Sequence, residues 1–246
     1  MQIKNSIVLV TGANRGLGRA IVEASLAAGA RRVYAGARDP RSLGELASRS
    51  EGRVVGLPLD VTDATSLSRA AELAPDVTLL VNNAGVLASF GLLTSDSEAI
   101  AQDFAVNFYG LLAATKAFLP ALKRAVTRGE AAVVNVLSVV SLANIPALGG
   151  YSASKAAASS VTQGLRVDLG QQGIGVHGVF AGAMDTDMTR SMDMAKARPS
   201  DVARAILEGL ELGEEDIFPD ALSRQIAAVW QQNPKQVERQ LGGGAG

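Results

Sequence analysis

Ile7-Val8-Leu9-Val10-Thr11-Gly12-Ala13-Asn14-Arg15-Gly16-Leu17-Gly18 decides how the rest of the chain is read. An apolar, β-branched run enters a turn bearing Gly12, Gly16 and Gly18. A helical pattern follows, with apolar residues at Leu17, Ile21, Leu26 and Ala27 and a stop at Gly29. Glycine serves such a corner in two ways. The backbone turns sharply, and a pyrophosphate can approach the free N–H groups of the helix N-terminus, where the dipole favours an anion. The stretch predicts a strand, a dinucleotide cradle and a helix, in that order.

Working outward, further strand patterns fall at 6–10, 32–36, 53–59, 77–81, 132–137 and 175–180. Helical patterns lie between and after them, at 17–28, 42–49, 63–74, 97–126, 150–170 and 199–212. This alternation predicts an α/β fold: a doubly wound, Rossmann-type parallel sheet of about seven strands with helices on both faces. No repeat or linker divides the chain. We expect one domain over residues 1–241, with a substrate lid at about 184–198, and a flexible tail at 242–246, where the sequence is GGGAG.

Composition narrows the chemistry. The chain has 246 residues, is 48% hydrophobic and 19% charged, and carries a formal net charge of −1. That permits a large core and offers no basic stripe for nucleic acid. There is no cysteine, and His177 is the single histidine, so neither a disulfide framework nor a metal site is expected. His177 reads as a strand residue, and Asp185 and Asp187 as solvated loop carboxylates. The longest apolar stretch, 77–93, is interrupted by Asn82, Asn83, Gly85 and Gly91, and no secretory-type leader is visible. The expectation is a cytoplasmic protein with no membrane partner.

The chemistry concentrates in Tyr151-Ser152-Ala153-Ser154-Lys155, with Ser138 thirteen residues before the tyrosine. Tyr151 and Lys155, four positions apart, share one helix face. A tyrosine titrates near pH 10, and a neighbouring ammonium stabilises the phenolate. At about 5 Å and an effective dielectric of about 20, the attraction is about 3 kcal/mol, worth about two pKa units. Burial of the lysine would offset part of this. The expectation is a phenol tuned for acid-base work. After the second strand pattern the chain reads Tyr34-Ala35-Gly36-Ala37-Arg38, with no acid before Asp39 to hold a ribose 2′-hydroxyl. Arg15 and Arg38 could instead clamp a 2′-phosphate, which predicts NADP(H) over NAD(H).

These motifs together resemble the short-chain dehydrogenase/reductase family, classical type. Its TGxxxGxG is Thr11–Gly18 here, its NNAG is Asn82–Gly85, and its YxxxK is Tyr151 and Lys155. The likeness runs from about residue 5 to 240. It implies that Asn107, Ser138, Tyr151 and Lys155 are catalytic. Lys155 would also bind the nicotinamide ribose, Ser138 would hold the substrate oxygen, and Asn107 would kink its helix and hold a relay water. The implied cofactor set is Gly12, Asn14, Arg15, Gly16, Leu17, Gly18, Arg38, Asp60, Val61, Asn83, Ala84, Gly85, Tyr151, Lys155, Gly182, Met184 and Thr186. The segment 181–186 resembles PGxxxT but opens on Ala181 in place of proline, leaving the turn less rigidly set.

Four of the five methionines lie between Met184 and Met194. Methionine adapts to varied apolar shapes. With the apolar positions after NNAG and between serine and tyrosine, they suggest a small hydrophobic carbonyl or alcohol substrate held by Leu87, Ser138, Ile145, Tyr151, Met188 and Met192. Helices 97–126 and 150–170 are rich in small residues, and in the resembling family such helices pair as a dimer, often within a tetramer. The expected activity is an NADP-dependent carbonyl reductase or alcohol dehydrogenase acting as a homo-oligomer. The alternatives are an epimerase or dehydratase of the extended relatives, an enoyl reductase, or a catalytically silent NADP-sensing regulator. The ordinary tyrosine-lysine spacing and the short C-terminal part argue against them.

Overall fold

Apolar runs without polar alternation are satisfied only by burial on both faces. In the computed structural model, which describes residues 1–48 and 50–243, such runs form one sheet of seven parallel strands. They are β1 (Ile7–Thr11), β2 (Arg32–Ala37), β3 (Val54–Pro58), β4 (Leu79–Asn82), β5 (Ala131–Val136), β6 (Ile174–Val179) and β7 (Asp216–Ile217), in the order β3-β2-β1-β4-β5-β6-β7. The interior strands β4 and β5 are buried at every residue.

The helices are α1 (Gly16–Ala27), α2 (Glu45–Ser48), α3 (Ala64–Leu73), α4 (Ser97–Phe104), α5 (Leu111–Val126), α6 (Gly149–Gly170), α7 (Pro199–Leu212), α8 (Ala221–Gln232) and α9 (Pro234–Leu241). Strand alternation sends Val8 and Val10 to one face of the sheet and Leu9 to the other. On the first face they meet Leu17 and Ile21 of α1 and Ile206 and Leu210 of α7. On the second, Leu67, Phe118, Leu122 and Leu169 come from α3, α5 and α6. Burying each such side chain contributes about 2 kcal/mol. The doubly wound sheet expected from the sequence is therefore what forms, helices on both faces included.

The structure departs from the sequence reading in three places. The expected helix 42–49 is a 3-10 turn, Pro40–Leu43, followed by α2, because Gly44 at φ 54° separates them. Its last expected residue, Arg49, lies outside the described residues. The expected continuous helix 97–126 is broken by a π-helical segment, Ala105–Gly110. Ser97–Val126 is long and apolar enough to cross a membrane by length and composition, yet Phe118 and Leu122 within it are wholly buried against the sheet. Finally, the seventh strand, counted but not placed from the sequence, is β7, and α8 and α9 follow it beyond the last expected helix. Here β7 is two residues long, α8 starts on a capping box between Asp220 and Ser223, and Asn233 caps α9. Of the expected tail 242–246, residues 244–246 lie outside the described residues.

β1 pairs with both β2 and β4, and the chain winds away from this point in opposite directions. In a doubly wound sheet such a switch point opens a crevice at the carboxyl ends of the strands. Thr11, Asn82 and Val136 end β1, β4 and β5 there.

Candidate active site

The corner from β1 to α1 is built around missing side chains. Gly12 and Gly16 have φ of 65° and 54°, conformations that favour glycine. A Cβ on Gly18 would lie 2.2 Å from the Gly12 carbonyl oxygen and 2.5 Å from Asn83 Nδ2. The loop after β4 is laced onto this corner. Thr11 Oγ1 accepts from the N–H groups of Asn83 (3.0 Å) and Ala84 (2.9 Å), and Asn83 Nδ2 donates to the carbonyls of Thr11 (2.8 Å) and Gly12 (3.2 Å). No side chain caps α1, and its first turn carries no acid. Its orphan N–H groups and dipole therefore remain available to an anion, which suits a dinucleotide pyrophosphate. Asn14 and Leu17 lie within the same corner.

Two loops flank it. Beyond β2, Arg38 is exposed. Asp60 accepts from the Thr62 N–H (2.9 Å) and hydroxyl (2.7 Å). Burial alone would raise Asp60, but the Thr62 hydroxyl, the Thr62 N–H and the Arg38 charge outweigh it and hold the carboxyl below its ordinary range. Val61, its neighbour, is buried against Gly110. On the other side, residues 184–197 form a loop whose ends are tied by a parallel bridge between Met184 and Ala197. Thr186 reaches Gly16, where a Cβ would meet its Cγ2 at 3.3 Å. Asp187 pairs with Arg15 at 3.0 Å and also with Arg190. The two expected phosphate arginines are thus not equivalent: Arg38 forms no ion pair among the described residues, whereas Arg15 is engaged by a carboxylate read from sequence as merely solvated.

Asn107 falls within the π-helical segment, a distortion common at functional sites. Its side chain makes three hydrogen bonds. Oδ1 accepts from the Val86 N–H, and Nδ2 donates to the Val86 carbonyl and to Ser154 Oγ, each at 2.9 Å. A Cβ on Gly85 would sit 3.2 Å from Asn107 Oδ1 and 3.6 Å from Lys155 Nζ, so these two polar atoms converge on one point beside the NNAG loop. Ser138, two residues beyond β5, caps the next 3-10 turn and accepts from the Val140 N–H.

Lys155 Nζ donates to the Val136 carbonyl at 2.8 Å and lies 5.8 Å from the centre of the Tyr151 ring. Burial pushes the Tyr151 phenol up to about 12, against a downward pull from Ser138 and with an upward push from Asp103. Burial also lowers the Lys155 ammonium to about 8, opposed by Asp103. The expected net lowering of the phenol is therefore corrected for the unliganded protein. Desolvating both groups outweighs their mutual attraction.

Lys155 carries a prediction. Between about pH 8 and about pH 10 the unfolded chain holds a proton on this lysine that the folded chain has released. Stability of the unliganded protein should rise with pH across that window. Above it, the raised Tyr151 reverses the sign, because the fold then keeps a proton the unfolded chain has lost. Lys155→Met should flatten the rise, read from urea midpoints on either side of the window.

The apolar side of the cleft is assembled from distant segments. Ile145 and Tyr151 pack with Leu222, Ile226 and Val229 of α8 and with Val237 and Leu241 of α9. These positions were missed in the sequence. The signal was the Asp220-to-Ser223 capping box followed by apolar residues at 222, 226 and 229. Asp220 also accepts from the Gly182 N–H at 2.8 Å, which fixes the loop that opens on Ala181. Leu87 is half-buried in the loop after NNAG. Met184 packs on the core, Met188 and Met194 are exposed, and Met192 is half-exposed. A groove of about 510 Å³, lined among others by Lys4, Arg31, Arg32, Asp76 and Arg124, contains none of these residues.

The sequence pattern of the short chain dehydrogenases matches residues 6–197. An uncharacterized oxidoreductase of Staphylococcus saprophyticus is 29% identical over 86% of this chain and 93% of its own length. Galactitol 2-dehydrogenase (L-tagatose-forming) of Cereibacter sphaeroides is 34% identical over 78% of this chain and 76% of its own. Among solved structures, a short chain dehydrogenase from Burkholderia cenocepacia in complex with NADP is similar at a TM-score of 0.91 and 36% identity, covering 98% of this chain and 99% of that one.

Proposed function

The chain belongs to the short-chain dehydrogenase/reductase family of oxidoreductases, and from that premise we propose that it reduces a hydrophobic ketone or aldehyde with NADPH, reversibly, using Tyr151 as proton donor. The observation that carries this reading is the convergence of Asn107 Oδ1 and Lys155 Nζ beside Gly85, with Tyr151 one helical turn before the lysine and Ser138 acting on its phenol.

The glycine turn, the Asn83–Gly85 loop, Asp60, Val61, Lys155 and the Gly182–Thr186 loop would hold the dinucleotide. When bound, it supplies the hydride and the redox chemistry. The protein's own part is electrostatic and positional. Ser138 and Tyr151 donate hydrogen bonds to the substrate oxygen, stabilising the charge that grows there in the transition state more than the ground state. Tyr151 then gives up its proton. The Lys155 ammonium, held on the Val136 carbonyl, favours the phenolate left behind. Asn107 Oδ1 keeps one acceptor lone pair beyond its bond from the Val86 N–H, so a relay water would donate to it beside Lys155.

Arg38 would bind the 2′-phosphate, with Arg15 released to it from Asp187. Arg38→Ala should raise the KM for NADPH about tenfold, the loss of one charge-assisted contact, and leave that for NADH nearly unchanged. Initial rates with both coenzymes check this, and an unaltered preference would refute the assignment. Leu87, Ile145, Met188 and Met192, with the α8 wall, would accept an apolar substrate under a lid formed by 184–198. The polyol specificity in the name of the Cereibacter relative marks the competing case. A panel of apolar ketones, sugars and anionic carbonyl compounds, followed by nicotinamide absorbance, decides between them. Strong preference for polyols or anions would end the hydrophobic reading. Tyr109 and Val167 are exposed on the helical faces expected to pair. This supports a single-domain protomer in a dimer or tetramer, testable by light scattering.

A further inference from the structure

Asp103 is wholly buried and forms no ion pair among the described residues. Isolated carboxylates do not survive burial without strong hydrogen bonds. Here Oδ1 accepts from the Ala88 N–H at 2.8 Å, and Oδ2 accepts from the Ser89 N–H at 3.2 Å and the Ser89 hydroxyl at 2.5 Å. One helical turn later, Asn107 takes both main-chain polar groups of Val86. The loop is therefore pinned on either side of Leu87.

The clamp continues toward the acid-base pair. Ser89 Oγ occupies the space that a Cβ on Gly150 would need, at 2.2 Å, and Gly150 immediately precedes Tyr151. α4 packs on α6, and Asp103 pushes both Tyr151 and Lys155 toward their protonated forms. Those are the ionisable groups of α6 that face it. The loop 86–90 carries no ionisable side chain, and Asp96 and Glu98 at the start of α4 are exposed.

We propose that Asp103 is a positioning residue for the Tyr151–Lys155 pair: one buried carboxylate clamps the 88–89 loop against the start of α6 and fixes a negative charge on that side of the pair, which holds Lys155 as the ammonium needed beside the phenolate that proton donation leaves. This rests on the assignment of Tyr151 as proton donor.

Two variants separate the charge from the clamp. Asp103→Asn keeps the shape and removes the charge. Ser89→Ala keeps the charge and removes the hydroxyl link. The first measurement needs no turnover: the titration of Lys155 in unliganded protein by NMR of 13C-labelled lysine, its signal assigned by its loss in Lys155→Met. The midpoint near pH 8 should fall by about one unit in Asp103→Asn and stay in place in Ser89→Ala. The second is the pH profile of kcat/KM for carbonyl reduction. Its alkaline limb should move to lower pH by about one unit in Asp103→Asn, while Ser89→Ala should raise the substrate KM severalfold with the limb unmoved. If Asp103→Asn leaves both the lysine midpoint and the limb in place, the charge has no part in the site and the proposal is overturned. Should Asp103→Asn not fold, Asp103→Ser removes the same charge and is read in the same way. Full activity in Tyr151→Phe would sink the proposed function, while the lysine titration would still report the effect of Asp103.

Discussion

Tyr151→Phe is expected to lower kcat/KM for carbonyl reduction by at least about a hundredfold, the range lost when a positioned proton donor is removed. The substitution deletes one oxygen and keeps the ring, which packs with Ile145 and the α8 residues Leu222 and Val229. Folding should therefore be spared. The phenol is raised to about 12 by burial, so losing it also relieves a buried polar group. Lys155 keeps its bond to the Val136 carbonyl, and the glycine turn is untouched. Dinucleotide affinity should stay within about twofold, the scale of a few tenths of a kcal/mol. Fluorescence titration of NADPH beside steady-state kinetics reads both quantities. Turnover close to that of the unaltered protein would remove Tyr151 from the mechanism. Joint loss of binding and turnover would make holding the cofactor, and not proton donation, its main role.

Gly18→Ala should do the reverse and fail before chemistry. Its Cβ would sit 2.2 Å from one main-chain oxygen and 2.9 Å from the carbonyl carbon of the same residue, Gly12. These are backbone atoms, and Gly12 is held in turn by Asn83 Nδ2 and by its own φ of 65°. Nothing flexible can yield, so either the start of α1 moves off the sheet or the Asn83 loop detaches. Overpacking of this kind costs about 2 kcal/mol or more. In a chain of this length that lowers Tm by roughly 5 °C. Because the displaced atoms are those that would face the pyrophosphate, NADPH affinity should fall about a hundredfold or more. Thermal melts with and without NADPH test both parts. A variant that melts normally and is still stabilised by NADPH would show that the corner is not the cradle.

Much of the fold was legible because it rests on local pattern. Six strands were found within two residues of their ends, since β-branched runs such as Val8–Val10 and Val133–Val136 are buried on both faces and need no partner to be recognised. The helix 199–212 was read to the residue because Pro199 can only start it and Gly213, at φ 78°, ends it. Local pattern failed where a longer-range contact set the conformation. The π segment holding Asn107 interrupts an uninterrupted helical sequence because Asn107 must reach Val86 and Ser154 at once. β7 is two residues long and exists only as an edge paired to β6.

From the residues alone came the order of the elements, the glycine corner at Thr11–Gly18 and the placing of Tyr151 and Lys155 on one helix face, because each depends on residues close in sequence whose spacing fixes their geometry. The tertiary structure decided the rest. It set the sign of the shift on Tyr151, since desolvation depends on everything packed around the phenol. It tied Arg15 to Asp187 across the cleft, brought α8 beside Ile145, and linked the buried Asp103 of α4 through Ser89 to the start of α6. Electrostatics and burial act through space, so spacing along the chain carries little of either.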